Sequence, residues 1–486
     1  MSEVISRRSF LGGIALSGAA MAWGQSSPDQ LQPSEASVSI SLHPEKVVAT
    51  VPENYNGLSY ESAQLAHPEF FAPTNRVLIA YFRQLSKQGV LRIGGNTSEF
   101  AVWTPQGAPS GTESASVGPD AGGAKRQTAI TPEAIRNLSG FLDATGWRLI
   151  YGLNLGHGNP GRAAQEAKAV FDQLGTQLIA FQIGNEPDLY HRNGLRPPNW
   201  TFNDYFGQWL DFFHAVRKVV PEASFGAPDV ANNTEWIVEF AARGAEDIKF
   251  LSGHYYAEGP PTDPRMTIAR LLQRDPRLTV NVPKIMEASH KSHRPFRMTE
   301  GNSCYKGGKP GVSNTFASAL WAADYMLFLA QSGYAGVNFH GGDDGVYTPI
   351  AGAPTSGYSA RPIYYGLLLG EQFAGSKMLE TNVDASGVNV TAYAAKADSG
   401  LRVAIFNKEE FRAVHAMVHT RANASQGSVW RMTAPSVTST TNVLVAGAAV
   451  SPDGQWAPQH EERLTGTLGQ FTINLSAGSA SLIFLS

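Results

Sequence analysis

Leu178–Tyr190 reads LIAFQIGNEPDLY. The first half is apolar and β-prone, with Leu178, Ile179, Phe181 and Ile183; the second half is Gly184, Asn185, Glu186 and Pro187. An apolar run that stops at Gly and Pro reads as a buried parallel strand entering a loop. In a (β/α) barrel the chemistry sits at the carboxyl ends of such strands, which is where Glu186 falls. Pro187 withholds a backbone donor and bends the chain, which helps fix the direction of Glu186. A solvated Glu in an ordinary turn would give the same tripeptide, so the flanking sequence has to decide.

Working outward, strand candidates fall at 55–62, 90–96, 148–156, 178–186, 224–230, 248–257, 296–303 and 336–342. Between them, Phe202, Tyr205, Phe206, Trp209, Phe213 and Val216 recur at helical spacing. Phe316, Leu320, Ala323, Leu327 and Ala330 do the same, and Thr131-Pro132-Glu133 opens a helix. These stripes read as core. Alternating β and α segments imply parallel strands, and eight of them predict an α/β fold, a (β/α)8 TIM barrel over residues 55–376 closed by a helix near 359–374. An open doubly wound sheet is the competing arrangement. Beyond residue 376 the texture changes to short alternating strands at 388–393, 401–406 and 471–475 with Gly, Ser and Asn turns. That pattern predicts a C-terminal β-sandwich domain over 377–486, and Val38–Leu42, within 36–54, is expected to join it.

A chain of 486 residues exceeds one ordinary core, which suits a barrel with a smaller domain. With 42% hydrophobic and 16% charged residues it reads as globular. The net charge of −3 and the lack of a dense Lys/Arg run argue against a nucleic-acid partner. One cysteine, Cys304, precludes an internal disulfide. At the N-terminus, Ser6-Arg7-Arg8-Ser9-Phe10-Leu11 is a twin-arginine pattern followed by an apolar stretch to Ala22, and Ala20-Met21-Ala22 resembles a cleavage site. Residues 1–24 are thus expected to be a signal peptide that exports the chain to the periplasm or beyond, with 25–35 a disordered leader. The apolar stretch is shorter than the roughly 20 residues of a membrane span, and no membrane partner is expected.

Glu300, in Phe296-Arg297-Met298-Thr299-Glu300-Gly301-Asn302, is expected to end the seventh strand as Glu186 ends the fourth. In a closed barrel the two then face each other across one mouth. Glycosidic bond cleavage needs such a pair, one carboxyl protonated to serve the leaving oxygen and one ionised at the anomeric carbon. Mutual repulsion and unequal solvation separate their pKa values. Alternatively Glu300 caps a helix or pairs with Arg297.

Asn-Glu-Pro after strand four with a Glu on strand seven resembles the clan A retaining glycoside hydrolases. Leu91–Asn96, Gly184–Pro187, Gly253–Tyr256, Thr299-Glu300 followed by Tyr305, and Val312–Phe316 resemble glycoside hydrolase family 79, the β-glucuronidase and heparanase family. The resemblance spans about residues 38 to 486. It implies Glu186 as general acid/base, Glu300 as nucleophile, Asn185 on the sugar 2-hydroxyl, and Tyr256 on the nucleophile's carboxylate. It further implies Glu61 and Asn96 on other hydroxyls, and Tyr305 and Tyr347 as donors to the substrate's own carboxylate, helped by glycine N–H groups, Lys306 or Lys309. No cofactor or metal is implied. The expected substrate is a terminal β-D-glucuronic acid on a carbohydrate or glucuronide. Heparan-cleaving members want basic residues around an extended cleft, and no such cluster is evident. Other sugars within the clan, an endo-acting heparanase-like enzyme and a non-catalytic carbohydrate-binding barrel remain as alternatives.

Three rival signals are weaker. Gly156–Gly161 fits G-x-G-x-x-G, but it sits in the third βα unit, contains Pro160 and is not followed by the acidic strand end that ribose binding uses. His290 and His293 form H-x-x-H among polar neighbours, too few ligands for a metal. Cys304 has no evident His/Asp partner and reads as a packed thiol.

Overall fold

The computed structural model describes residues 36–107, 127–342, 345–385, 387–421 and 424–486. The expected signal peptide and leader lie outside the described residues. Eight apolar segments pair in parallel into a closed barrel, so the open doubly wound sheet is not the arrangement found. They are β1 (Asn56–Glu61), β2 (Val90–Gly94), β3 (Arg148–Leu153), β4 (Leu178–Ile183), β5 (Phe225–Val230), β6 (Phe250–Glu258), β7 (Phe296–Cys304) and β8 (Gly336–Gly341). Chain order is spatial order, and β8 closes the ring on β1 through pairs such as Phe339 with Leu58. Parallel strands cannot be joined by tight turns, so helices cross over between them and cover the outside.

The capping chemistry matches the sequence. Thr131 accepts from the Ala134 amide ahead of Pro132, and Thr201 forms a reciprocal box with Asp204 at the start of Phe202–Val219. The aromatic stripe of Phe202–Val219 packs inward, where Trp209 is fully buried. Phe316–Gln331 is apolar on all sides because it lies between the barrel and a second sheet, and is buried along nearly its whole length.

That second sheet has ten strands and is continuous rather than split in two. The strand Ala36–Thr50 inserts into it, antiparallel to Lys377–Asp384 and parallel to Val414–His419. One face closes over its own core, which includes Ile40, Leu379, Ile405, Phe471 and Ile483. The C-terminal β-sandwich is therefore one curled sheet that recruits Ala36–Thr50 from ahead of the barrel. A buried ionic joint ties it to the barrel: Asp324 accepts from Lys408 Nζ at 2.8 Å, Tyr393 Oη at 2.7 Å and Thr391 Oγ1 at 2.8 Å, with Arg274 3.4 Å away. Burial alone would raise the Asp324 carboxyl, but Lys408 and Arg274 hold it down at about 2.

Candidate active site

Glu61, Arg92, Glu186, Asp229, His254, Glu300 and His340 come from every barrel strand, or the loop just after it, except the third. All seven are buried. β4 ends at Ile183, and the next residues leave the regular strand, with Gly184 at φ 86° and Glu186 at φ 50°. Asp229 on β5 also has positive φ, 60°, and its carbonyl accepts the Glu186 amide at 2.9 Å. Left-handed backbone at a non-glycine residue costs about 1–3 kcal/mol and persists where its surroundings impose it. Here it turns the Glu186 side chain into the barrel mouth.

Glu300 reaches the same place differently. It does not end its strand, as expected from the sequence; β7 continues to Cys304. The ladder shifts register on both sides of it, between Met298 and Glu300 against β6 and between Met298 and Gly301 against β8. A bulge of this kind re-aims a side chain without ending the strand. Arg297, the alternative ion-pair partner, bonds instead to Asn338 and to backbone carbonyls of Asn54, Tyr55 and Ala335.

A carboxylate oxygen of Glu186, one of Glu300 and a ring nitrogen of His254 all lie within 4.8 Å of one another. Glu300 accepts from Arg92 Nη1 at 2.6 Å on one oxygen and from Tyr256 Oη at 2.8 Å on the other. Burial would raise its carboxyl; the charges of His340, His254 and Arg92 and the Tyr256 hydroxyl outweigh this and hold it at about 2. Burial raises Glu186, and the negative charge of Glu300 acts in the same direction against the opposing His254. The site therefore drives the two carboxyls apart, Glu186 upward and Glu300 downward.

His254 lies between two carboxylates, Nδ1 3.0 Å from Glu186 and Nε2 3.1 Å from Asp229. Burial would lower its pKa, but Asp229 and Glu300 lift it to about 10. An imidazolium with both nitrogens engaged has no lone pair for a metal. The Glu186–His254–Glu300 cluster is thus built as a hydrogen-bond network, although its spacing would admit a cation.

Arg92 organises the floor. Besides Glu300, its guanidinium reaches Asp229 at 2.6 Å, Asn185 Oδ1 at 2.8 Å, Gln182 at 3.1 Å and Ser59 at 3.1 Å. Asn185 Nδ2 donates to Asn96 Oδ1 at 3.3 Å, which brings these two expected sugar contacts together. Tyr305 sets its edge on Tyr256 with ring centroids 6.4 Å apart and is 39% exposed. Tyr347, buried, lies 6.2 Å from Tyr256 and 6.0 Å from His340. Glu61 is placed beneath the mouth. Its oxygens accept the amides of Asn96 and Thr97 at 3.2 and 2.8 Å and the Thr97 hydroxyl at 2.6 Å, which fixes the loop after β2.

Arg92, Asp229, His254 and His340 carry much of this electrostatics, yet the sequence reading gave them no role. Arg92 and His254 stand inside motifs that it quoted. Asp229 and His340 could have been found by the argument used for Glu186, since each is ionisable near the end of an apolar strand. Glu99, in the turn Asn96–Phe100, was also missed; burial pushes it up to about 7 despite bonds from Tyr190 and backbone amides.

The rival motifs resolve structurally. Gly156 donates its amide to Glu99, and the following helix starts at Pro160, capped by Asn159. His290 and His293 are exposed at a helix end, and among the described residues neither belongs to a group with metal-binding spacing. Cys304 is fully buried.

No family model matches the chain. A β-glucuronidase of Aspergillus niger is 26% identical over 387 residues, covering 72% of this chain and 69% of that protein. A β-glucuronidase of Neurospora crassa is 28% identical over 315 residues, covering 57% of this chain and about half, 54%, of that protein. The heparanase of Gallus gallus is 24% identical over 279 residues, covering 53% of this chain and 51% of that protein. Among solved structures, a 4-O-α-L-rhamnosyl-β-D-glucuronidase from Fusarium oxysporum superposes with a TM-score of 0.73 at 19% identity, over 92% of this chain and 100% of that one. A family 51 arabinofuranosidase from Xanthomonas axonopodis pv. citri gives 0.68 at 15% identity, over 93% and 100%. The chain is a glycoside hydrolase, and its relatives are those of the β-glucuronidase and heparanase family that its motifs resemble.

Proposed function

We propose that this glycoside hydrolase is a retaining, exo-acting β-glucuronidase that removes terminal β-D-glucuronic acid by double displacement. The observation that carries the reading is the Glu186–Glu300 pair, with oxygens within 4.8 Å of each other and pKa values driven apart. Retaining glycosidases hold their two carboxyl groups about 5–5.5 Å apart, whereas inverting ones leave about 6.5–9.5 Å for a water. Glu300, ionised, attacks the anomeric carbon and forms a glycosyl-enzyme. Glu186, protonated, gives its proton to the leaving oxygen and then takes one from the incoming water. Asn185 holds the sugar 2-hydroxyl. Tyr305, Tyr347 and nearby glycine amides receive the sugar carboxylate, which a site containing two glutamates accepts best through neutral donors.

The glucuronide is favoured over other sugars of the clan by the curated relatives, two of which are named β-glucuronidases. Exo action rests on the want of a basic cluster suited to a sulfated polymer in the sequence. Export by the twin-arginine route belongs to the same proposal and is tested by whether Arg7→Lys with Arg8→Lys retains the protein in the cytoplasm. A panel of aryl β-glycosides tests the substrate. Glucuronide hydrolysed in strong preference to xyloside, arabinofuranoside and glucoside supports the reading, and the reverse order overturns it. Proton NMR of the first-formed sugar tests retention: the β-anomer is expected, and the α-anomer refutes it.

A further inference from the structure

We propose that Glu99 is a positioning residue for proton transfer, tying down the segment that carries Glu186. Glu99 lies in the turn after β2 and is only 1% exposed. One of its oxygens accepts the Asn185 amide at 2.5 Å and the Tyr190 hydroxyl at 2.7 Å. The other accepts the Gly156 amide at 2.5 Å. Asn185 and Tyr190 bracket Glu186, so a single oxygen pins both ends of the Asn185–Tyr190 segment. The second oxygen anchors the clamp to the loop after β3.

The segment needs such a clamp. Gly184 and Glu186, on either side of Asn185, are both left-handed, so no ladder or helix holds the Asn185 amide. Three donors and no acceptor face this carboxyl, which suits its ionised form, the one it takes above about pH 7. A glutamine would turn its NH2 toward a backbone N–H or a phenol. The clamp does not touch Glu300, whose oxygens are held by Arg92 and Tyr256. Its one link to the nucleophile runs through the Asn185 side chain and Arg92, so disturbing it displaces the proton donor more than Glu300.

The proposal rests on Glu186 as acid/base, and its signature is leaving-group dependence. 2,4-Dinitrophenolate departs without a proton, while an alkoxide does not. For Glu99→Gln, kcat/KM on methyl β-glucuronide is expected to fall at least tenfold more than on 2,4-dinitrophenyl β-glucuronide. A merely structural role would lower both equally, and equal losses or no loss overturn the proposal. Should Glu99→Gln fail to fold, Tyr190→Phe removes one donor from the same oxygen and is expected to show the same bias, about threefold; an unbiased effect again overturns it. If the wild-type enzyme cleaves neither glucuronide but does cleave another methyl and dinitrophenyl glycoside pair, the substrate reading fails. The same ratio measured on that pair then decides the role of Glu99.

Discussion

Arg92 donates from Nη1 to Oε2 of Glu300 over 2.6 Å, and neither side chain has appreciable contact with solvent. The other terminal nitrogen of the guanidinium reaches Asp229 and Asn185. One cation on β2 thus orients the group on β7 and the residue that precedes Glu186 after β4.

Replacing Arg92 by Met leaves Glu300 and Asp229 buried beside each other without their shared cation. Breaking a buried ion pair from one side costs about 3–5 kcal/mol, so the denaturation midpoint is expected to fall accordingly. The Glu300 carboxyl, held at about 2 in the intact site, rises once that charge is gone. Because the attacking group must be ionised, the acid limb of kcat/KM moves to higher pH. In the intact protein Glu300 lies below its usual 4.5, so its contribution to stability is present above that value and is lost as pH falls toward about 2.

His254→Asn acts on the other limb. The imidazolium lowers the Glu186 carboxyl, so its removal raises that pKa further. Proton donation then persists to more alkaline conditions, and the basic limb of kcat/KM is expected to shift upward while kcat drops by about tenfold or more from lost orientation. A basic limb that stays fixed refutes the coupling. His254 itself sits at about 10, above its usual 6.5. Its stabilising contribution is complete below pH 6.5 and is lost as pH rises through about 10.

Glu300→Ala removes the attacking oxygen, and turnover of an aryl glucuronide is expected to fall on the order of 10⁴-fold or more. Azide entering the vacated space restores cleavage with an inverted, α-configured glycosyl azide. Glu186→Ala is expected to cost about 10²–10⁴-fold on poorly activated substrates, and azide there yields the β-azide. Wild-type activity in Glu300→Ala, or the same azide anomer from both variants, contradicts the assigned roles.

Asp324→Asn tests the joint between barrel and sheet. Lys408 would remain buried without its partner, and about 3–5 kcal/mol of stability is expected to be lost in thermal unfolding. Pairing the change with Lys408→Met removes the stranded charge and is expected to recover part of that loss. The kcat of folded enzyme should be unchanged, because Asp324 and Lys408 bond to neither Glu186 nor Glu300.

The periodicity of the chain determined a great deal. All eight strand candidates became barrel strands, because a parallel strand buried on both faces must be a short apolar run whatever surrounds it. The Asn-Glu-Pro tripeptide and the acidic residue on the seventh strand were equally legible, since alternation with helices points every strand end toward one mouth. The tertiary structure alone decided how those groups behave. The bulge at Glu300 arises from pairing with two neighbouring strands, and the left-handed turn at Glu186 is held by a carbonyl from β5. Both are absent from local propensity. The separation of pKa values depends on charges from β2, β6 and β8 that are remote in sequence. Electrostatic energy depends on distance and dielectric rather than on order along the chain.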